Sequence, residues 1–467
     1  IRKLIISNIK YMYRKKDFET INLNIDKIKT DAIVEYKKNY EPTITEQVTV
    51  YNSIKKFIIT NKRIVYGGVA QNLLIKNKNP KDTFYTEIDG VYYNWPDLAD
   101  IEFYSPVPLE DIYNLTNYLL NLGFKYIEAK EGVHPETFKI FVNFINYCDI
   151  TYMPKYIYYN LPTIIIENIV CTNKLFMLID AYRVITDPLT SYWRLDKSII
   201  RFQKILSYYP FNINLLKNNK EIEDIIKPTK DTNIMLYIRK KLIHNSNLVV
   251  VGFYAYNYYI SKINKKAILN NFPYYEVISN NLKNDSKIIY NILKKKYSLT
   301  IKEYYPFFQF LDRRIEYYHN NKLILVLYGN NSRCTVYRYS LKKKTYFGTF
   351  NLILMYFLIN YFYNIINKMY KKSKLYLILL IKLWYNRNLY LSKYNITVFD
   401  SSPFQDFTLK CHGIPVHPLR KSLLQNLKKK KFKFNPSKDN IIKEQTFDNT
   451  SGNQILNEKY LILKNNI

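Results

Sequence analysis

The stretch from Arg63 to Leu74, RIVYGGVAQNLL, sets two glycines side by side in a chain that holds 10 among 467 residues. A β-branched run precedes Gly67 and a helix-forming run follows Gly68. A strand that turns at once into a helix needs a residue without Cβ at the turn. Glycine takes left-handed backbone at little cost and lets another group come close to the main chain. The pair therefore predicts a strand–turn–helix unit. The amides at such a helix N-terminus can hold phosphate, although a plain turn would carry the same pair.

The flanking text predicts what this unit packs against. Val48, Tyr51, Ile54 and Ile58 in TEQVTVYNSIKKFIIT have helical spacing behind a capping Thr. Asp89-Gly90, between runs of β-formers, predicts a hairpin. ADIEFYS reads as a strand, and PLEDIYNLTNYLLNLG as an amphipathic helix stopped at Gly123. FKYIEA, TFKIFVNF and CDITYM read as three more strands. Together they make an α+β module, most of a sheet with a helix laid across it.

Asp100 and Glu102 are two apart on the predicted strand, so their side chains share a face, while Ile101 and Phe103 point the other way. Asp97 has the wrong parity to join them. Adjacent carboxylates repel unless a cation bridges them. Hard oxygen donors suit Mg²⁺ or Mn²⁺. Asp149, between Cys148 and Ile150 on another strand, supplies a third acid. Phosphate-binding amides beside such acids suit two-metal chemistry, with one ion activating a hydroxyl and the other stabilising a leaving pyrophosphate. His134, in a loop before Pro135, reads as structural rather than as a base.

From about Asn168 the pattern turns helical. Arg194, Lys197, Arg201 and Lys204 form a basic stripe, read either as a solvated face or as a track for phosphates. LVVVGFYAYNYYI then echoes the opening motif, with Gly252, Ala255 and Asn257 matching Gly67, Ala70 and Asn72. A strand and a helix follow in the same order, which predicts a duplicated module. In the copy Phe253 replaces the second glycine and Tyr274 the first acid, and only Glu276 is kept. The copy therefore reads as inactive.

Phe347 to Tyr370 is long enough to span a bilayer, but four asparagines inside it argue for a buried helix. The N-terminal 44 residues show no clear period. IRKLIISNIKYMYRKKDF is not a secretory signal, and a first residue of Ile1 reads as a fragment or a processed chain. Cys148, Cys171, Cys334 and Cys411 lie far apart and read as lone thiols of a reduced, intracellular protein. The net charge of +32 fits a polyanionic partner, though AT-rich coding bias also inflates Lys. The tail NLKKKKFKF, with Phe432 and Phe434 beside four lysines, reads as a solvated block or a nucleic-acid contact.

The order Gly-Gly, D-x-E strand, third Asp resembles the DNA polymerase β-like nucleotidyltransferase superfamily. YGGVAQNLL, DIEFYSP, GVHPETFKIFVNF, CDITYMP, DAYRVITDPLTSYWRLDKSIIRF and FTLKCHGIPVHPLR are similar to poly(A) polymerase catalytic subunits of nucleo-cytoplasmic large DNA viruses, of the giant-virus and asfarvirus kind, with poxviruses more distant. The resemblance covers residues about 45 to 440. It implies a template-independent polymerase that extends the 3′ end of mRNA with ATP and a divalent metal. Asp100, Glu102 and Asp149 would be the catalytic metal ligands, and Gly67 and Gly68 would face the triphosphate. Many superfamily members carry Ser at the position of Gly68; here backbone amides, with Gln71 or Asn72, would serve instead. Lys139 or Thr137 would lie near the nucleotide, and Arg183 and Arg194 would pair with acids or meet RNA.

The resulting expectation is tandem nucleotidyltransferase-like modules, the second degenerate. Residues 1–44 precede a catalytic unit at 45–165. A helical connector at 166–235, a degenerate unit at 236–425 and a basic tail at 426–467 follow. Partners would be ATP, an RNA 3′ end, and a second copy or a processivity subunit, as giant-virus and poxvirus relatives respectively imply; no membrane is expected. Location would be cytoplasmic, in a viral factory or virion. Two alternatives stay open: a transferase with other NTP specificity, and a non-catalytic RNA-binding subunit.

Overall fold

A computed structural model of the chain describes residues 13–39, 42–94, 97–134, 136–217, 232–269, 272–330, 333–416, 419–420, 423 and 432–437. The extreme N-terminus, residues 1–12, and the lysine run at 428–431 lie outside the described residues. The first half contains α1 (Lys15–Asn39), α2 (Ile44–Thr60), β1 (Ile64–Tyr66), α3 (Gly67–Lys76), β2 (Thr86–Ile88), β3 (Val91–Asn94), β4 (Asp97–Leu98) and β5 (Ile101–Ser105). It continues through α4 (Pro108–Asn121), β6 (Glu128–Glu131), β7 (Thr137–Val142), β8 (Ile145–Tyr152), α5 (Lys155–Asn160), β9 (Thr163–Ile166) and β10 (Ile169–Thr172).

Helices α6 (Lys174–Ile185), α7 (Leu195–Tyr208) and α8 (Thr232–Ile238) lead to β11 (Val249–Val251), α9 (Gly252–Ile260), β12 (Tyr275–Ser279) and α10 (Leu282–Lys294). Then come β13 (Thr300–Tyr304), β14 (Arg314–His319), β15 (Lys322–Gly329), β16 (Thr335–Ser340) and β17 (Thr345–Gly348). Helices α11 (Phe350–Ile366) and α12 (Tyr370–Tyr394) and the short strands β18 (Cys411–His412) and β19 (Lys433–Phe434) complete the described chain.

The echo in the sequence is a duplicated sheet. One sheet runs β19-β6-β7-β8-β5-β1-β10-β9 and the other β13-β14-β15-β12-β11-β17-β16-β18. In each, the strand before the glycine pairs antiparallel with the strand that carries the glutamate: Tyr66 faces Glu102, and Val251 faces Glu276. In each, that strand runs parallel to the third-acid position, so Glu102 meets Asp149 and Glu276 meets Val326. A β-bulge repeats too. Tyr147 is the extra residue between the Phe141–Asn146 and Ile140–Cys148 pairs, and Ile324 is its counterpart between the Tyr318–Leu323 and Tyr317–Leu325 pairs. Separate apolar cores sit against the two sheets, and the larger one joins the second sheet to α6, α8, α11 and α12.

The predicted hairpin forms at Asp89-Gly90, with φ of 49° and 80° between β2 and β3. Helix α11 is almost wholly buried. Two of its asparagines, Asn360 and Asn364, donate to the carbonyls of Tyr356 and Asn360, at 3.0 and 2.6 Å. Among the described residues no helix is long and apolar enough to cross a membrane.

Four readings change. The segment taken as unperiodic forms the 25-residue helix α1, largely exposed, so no buried face imprints a period on it. The helical pattern begins later than Asn168, because β9 and β10 first close a hairpin at Glu167-Asn168, whose φ values are 49° and 63°. Glu-Asn fills a turn that the Asn-Gly and Asp-Gly signals would have announced. Cys334 and Cys411 are not lone thiols. Pairing of β16 with β18 brings their Cα atoms to 5.4 Å and joins them in a disulfide, while Cys148 and Cys171 are free and buried. Phe434 does not wait for nucleic acid: β19 adds to β6 and buries it in the first core, and Phe432 packs edge-on against Phe138.

Candidate active site

The turn from β1 into α3 works as its sequence demands. Gly67 has a φ of +67°, and a Cβ there would collide with the Glu102 carboxylate. Glu102 in turn accepts a hydrogen bond from the Gly68 amide at 3.0 Å. A Cβ on Gly68 would meet the Tyr85 hydroxyl and the Arg201 guanidinium. Arg201 donates to that hydroxyl at 2.6 Å. The glycine pair thus lies between an acid on one side and a phenol–guanidinium pair on the other.

The three acids gather on one face. Glu102 and Asp149 are register partners on parallel strands, and Asp100 lies just ahead of β5. Ile101 and Phe103 are buried in the core behind them. The Lys139 ammonium donates to both Asp149 oxygens, at 2.8 and 2.7 Å, and stands 4.0 Å from Asp100 Oδ2. Asn146 donates to Asp100 Oδ2 and Asp149 Oδ1, each at 3.1 Å. Asn146 and Asp149 have opposite parity along β8. The bulge at Tyr147 turns Asn146 onto the acid face, which alternation alone would not reveal.

Burial, then the nearby Asp100 charge, raises Glu102 to about 7, with the Gly68 amide acting the other way. Burial, then Asp149, raises Asp100 above the usual carboxylate range. Both shifts report negative charge crowded into a poorly solvated site. Among the described residues, no three acid, His or Cys groups stand ready to hold a metal as they are placed. Lys139 supplies the counter-charge between Asp149 and Asp100, and Glu102 is turned to Gly68. The donors themselves fit a hard divalent cation: all are carboxylate oxygens, and their mutual repulsion is what such an ion would relieve.

The other named residues sort by geometry. Asn72 is fully buried, and its Oδ1 accepts from the amides of Phe84 and Tyr85 at 2.8 and 3.1 Å. Asn257 ties down Leu269 through both its amide groups in the same way. The shared asparagine thus anchors the loop after the helix and places Tyr85. Gln71 is half-buried, and its Oε1 finds no hydrogen-bond partner among the described residues. Thr137 is buried and bonds Thr151 at 3.0 Å, and Thr151 also bonds Tyr66 at 2.7 Å. Arg183 pairs with Asp180 at 2.7 Å. Partial enclosure, then the charges of Arg194, Arg183 and Lys139, lowers His134 below its ordinary value, so it stays neutral at pH 7.

Of the basic stripe, Arg201 and Lys204 on α7 are half-buried and paired, while Arg194 and Lys197 are exposed. Lys204 pairs with Asp82 at 2.7 Å, and Arg201 reaches Tyr85. Burial and the neighbouring Arg201 lower Lys197, while Glu102 and Asp100 act in the opposite sense. Two cations thus border the acids, and their helical spacing was the signal for them.

In the second module the corresponding pocket is filled. Phe253 and Tyr274 are buried edge to face with centroids 5.4 Å apart, and the Tyr274 hydroxyl lies 3.0 Å from that of Tyr376 on α12. Glu276 is buried beside Gly252, which keeps a φ of +63°. Val326 stands at the position of Asp149.

Residues 52–191 match the family "Poly(A) polymerase catalytic subunit", and residues 203–465 match "APMV, Putative poly(A) polymerase, catalytic subunit, C-terminal". A relative in Acanthamoeba polyphaga mimivirus, named "Putative poly(A) polymerase catalytic subunit", is 31% identical over 97% of this chain and 84% of its own length. A protein of the same name in African swine fever virus (isolate Tick/Malawi/Lil 20-1/1983) is 24% identical over 41% of this chain and 40% of its own. The crystal structure of the Megavirus polyadenylate synthase superposes with a TM-score of 0.82 at 31% identity, covering 97% of this chain and 94% of that one. The chain belongs to the poly(A) polymerase catalytic subunit family.

Proposed function

We propose that the protein is a polynucleotide adenylyltransferase that adds AMP from ATP to the 3′ end of RNA without a template. Residues 45–165 would form its catalytic unit and 236–425 a degenerate one. One observation carries the assignment of the site. Asp100, Glu102 and Asp149 cluster beside the glycine turn at the N-terminus of α3 in the first module, while Tyr274 and Val326 occupy two of the three matching positions in the second.

Asp100, Glu102 and Asp149 would hold Mg²⁺ or Mn²⁺, which when bound polarises the phosphate and activates the attacking hydroxyl. The chain's own residues prepare the rest. The turn at Gly67-Gly68 is packed by Glu102, Tyr85 and Arg201, side chains that phosphates approaching the α3 N-terminus would displace, and Gln71 lies one turn further along α3. Asn72 contributes indirectly, by fixing Tyr85 over Gly68. Lys197 and Arg201 bring positive charge to the same side, where in-line transfer depends on positioning and charge stabilisation. Lys139 holds both Asp149 oxygens and so orients the carboxylate until nucleotide arrives. The enzyme would work as a homodimer or with a processivity subunit, in the cytoplasm at a viral factory or in the virion.

The test is primer extension with labelled RNA, Mg²⁺ or Mn²⁺, and each NTP separately. ATP is expected to lengthen the primer, and Asp100→Ala or Asp149→Ala to abolish lengthening while melting stays near wild type. Undiminished extension by either variant would refute the site, and preference for another NTP would refute the adenylyl assignment.

A further inference from the structure

The hairpin between β7 and β8 turns on two residues, Asn143 and Phe144, with φ of 47° and 66°. Both values are left-handed, which defines a tight I′ turn favouring Asn and Gly. Phenylalanine is a poor choice there, because its Cβ strains in left-handed backbone. The second module shows what the turn itself requires. At the matching place, between β14 and β15, stand Asn320 and Asn321 with φ of 48° and 59°. The fold therefore does not need an aromatic residue at this point.

Phe144 is also not there for a core, being 78% exposed. It stacks on Tyr126, which is 62% exposed and is itself left-handed, at a φ of 52°. The ring centroids lie 5.2 Å apart, with 25° between the planes. By the strand registers Tyr126 corresponds to Ser298, so the second module lacks both rings. Two bulky side chains in strained backbone, stacked and open to solvent, mark a place where strain is kept for a use.

The pair stands at the rim of the acid cluster. Phe144 is two residues, about 7 Å along the strand, from Asn146, which touches both Asp100 and Asp149. Exposed Lys125 adjoins Tyr126, and Lys130 lies 4.0 Å over the ring of Phe141. Flat rings beside lysines, in a chain of net charge +32, form a surface on which unpaired bases stack while phosphates meet cations. A docking surface for folded protein would need a wider apolar patch than two rings.

We propose that Tyr126 and Phe144 form a base-stacking platform for the single-stranded RNA primer, upstream of the 3′ end held at the acids. This rests on the RNA-extending reading above. The platform belongs to the active module alone, where a primer must be held, and is absent from the degenerate copy.

The experiment uses the full chain, fluorescein-labelled oligo(A) primers and anisotropy, with Phe144→Asn and Tyr126→Ser as variants. Each substitution installs the residue that the second module uses. Phe144→Asn relieves the backbone, so its melting temperature is expected to equal or exceed that of wild type, while primer affinity falls roughly tenfold. The KM for ATP at saturating primer is expected to stay unchanged. Wild-type affinity in both variants, with folding intact, would overturn the platform and point to a protein partner for the rings. A wild-type chain that neither binds nor extends RNA would overturn the functional reading itself, and the platform with it.

Discussion

Glu276 stands in the second module where Glu102 stands in the first, and is buried. Burial raises its pKa from 4.5 to about 7, against the Tyr328 hydrogen bond and the charges of Lys372 and Arg314. The native state therefore holds this proton more tightly than the unfolded chain does. The associated stability is fully present below pH 4.5 and is lost as pH rises through about 7. At about 1.4 kcal/mol for each pH unit between the two values, the loss comes to about 3 kcal/mol. Glu276→Gln keeps an acceptor for the Tyr328 hydroxyl, 3.1 Å away, and removes the ionisation. The variant should be close to wild type at pH 5 and more stable by about 2–3 kcal/mol at pH 8. Urea unfolding of both proteins at the two pH values measures the difference, and the other titrating groups cancel in the comparison. A stability difference that does not change with pH would mean that Glu276 ionises as freely in the folded protein as in the unfolded one, and the argument from burial would fall.

The glycine turns offer a paired test. Gly67→Ala and Gly252→Ala each force a side chain into left-handed backbone and against a glutamate, costing more than about 1 kcal/mol by calorimetry. Only Gly67→Ala should abolish primer extension. The asparagine anchors offer another: Asn72→Ala leaves two backbone amides without their acceptor and should cost about 2–4 kcal/mol in urea unfolding. Asn257→Ala should cost a similar amount, but Asn72→Ala should also slow extension, because Tyr85 loses its anchor over Gly68.

Much of the candidate site's geometry was legible because its grammar is local. The D-x-E alternation put Asp100 and Glu102 on one face and Ile101 and Phe103 in the core, which follows from strand geometry. The echo at Gly252 survived in low-complexity text because a left-handed turn against a glutamate tolerates little but glycine. Asn72 was read, through the family resemblance, as serving the phosphates beside the backbone amides, yet it anchors a loop, as its echo Asn257 does. A repeated residue shows only that a position is constrained, and a buried anchor constrains it as firmly as a ligand would. Asn146 was missed because a bulge changes parity, and no period in the sequence announces one. The exposed α1 was missed for the converse reason: with no face buried, composition carries no period.

The strand–glycine–helix units, the Asp89-Gly90 hairpin, the shared face of the paired acids and the loss of acid character in the second module could be read from the order of residues. Each depends on dihedral preferences and side-chain direction within a few residues. The folded arrangement was needed to place Lys139 between Asp149 and Asp100, to close Arg201 and Tyr85 over Gly68, and to bring Cys334 to Cys411. It also carried Phe434 from the far end of the chain into the first core. These contacts join residues distant in sequence, and strand register and packing fix them where local preference is silent.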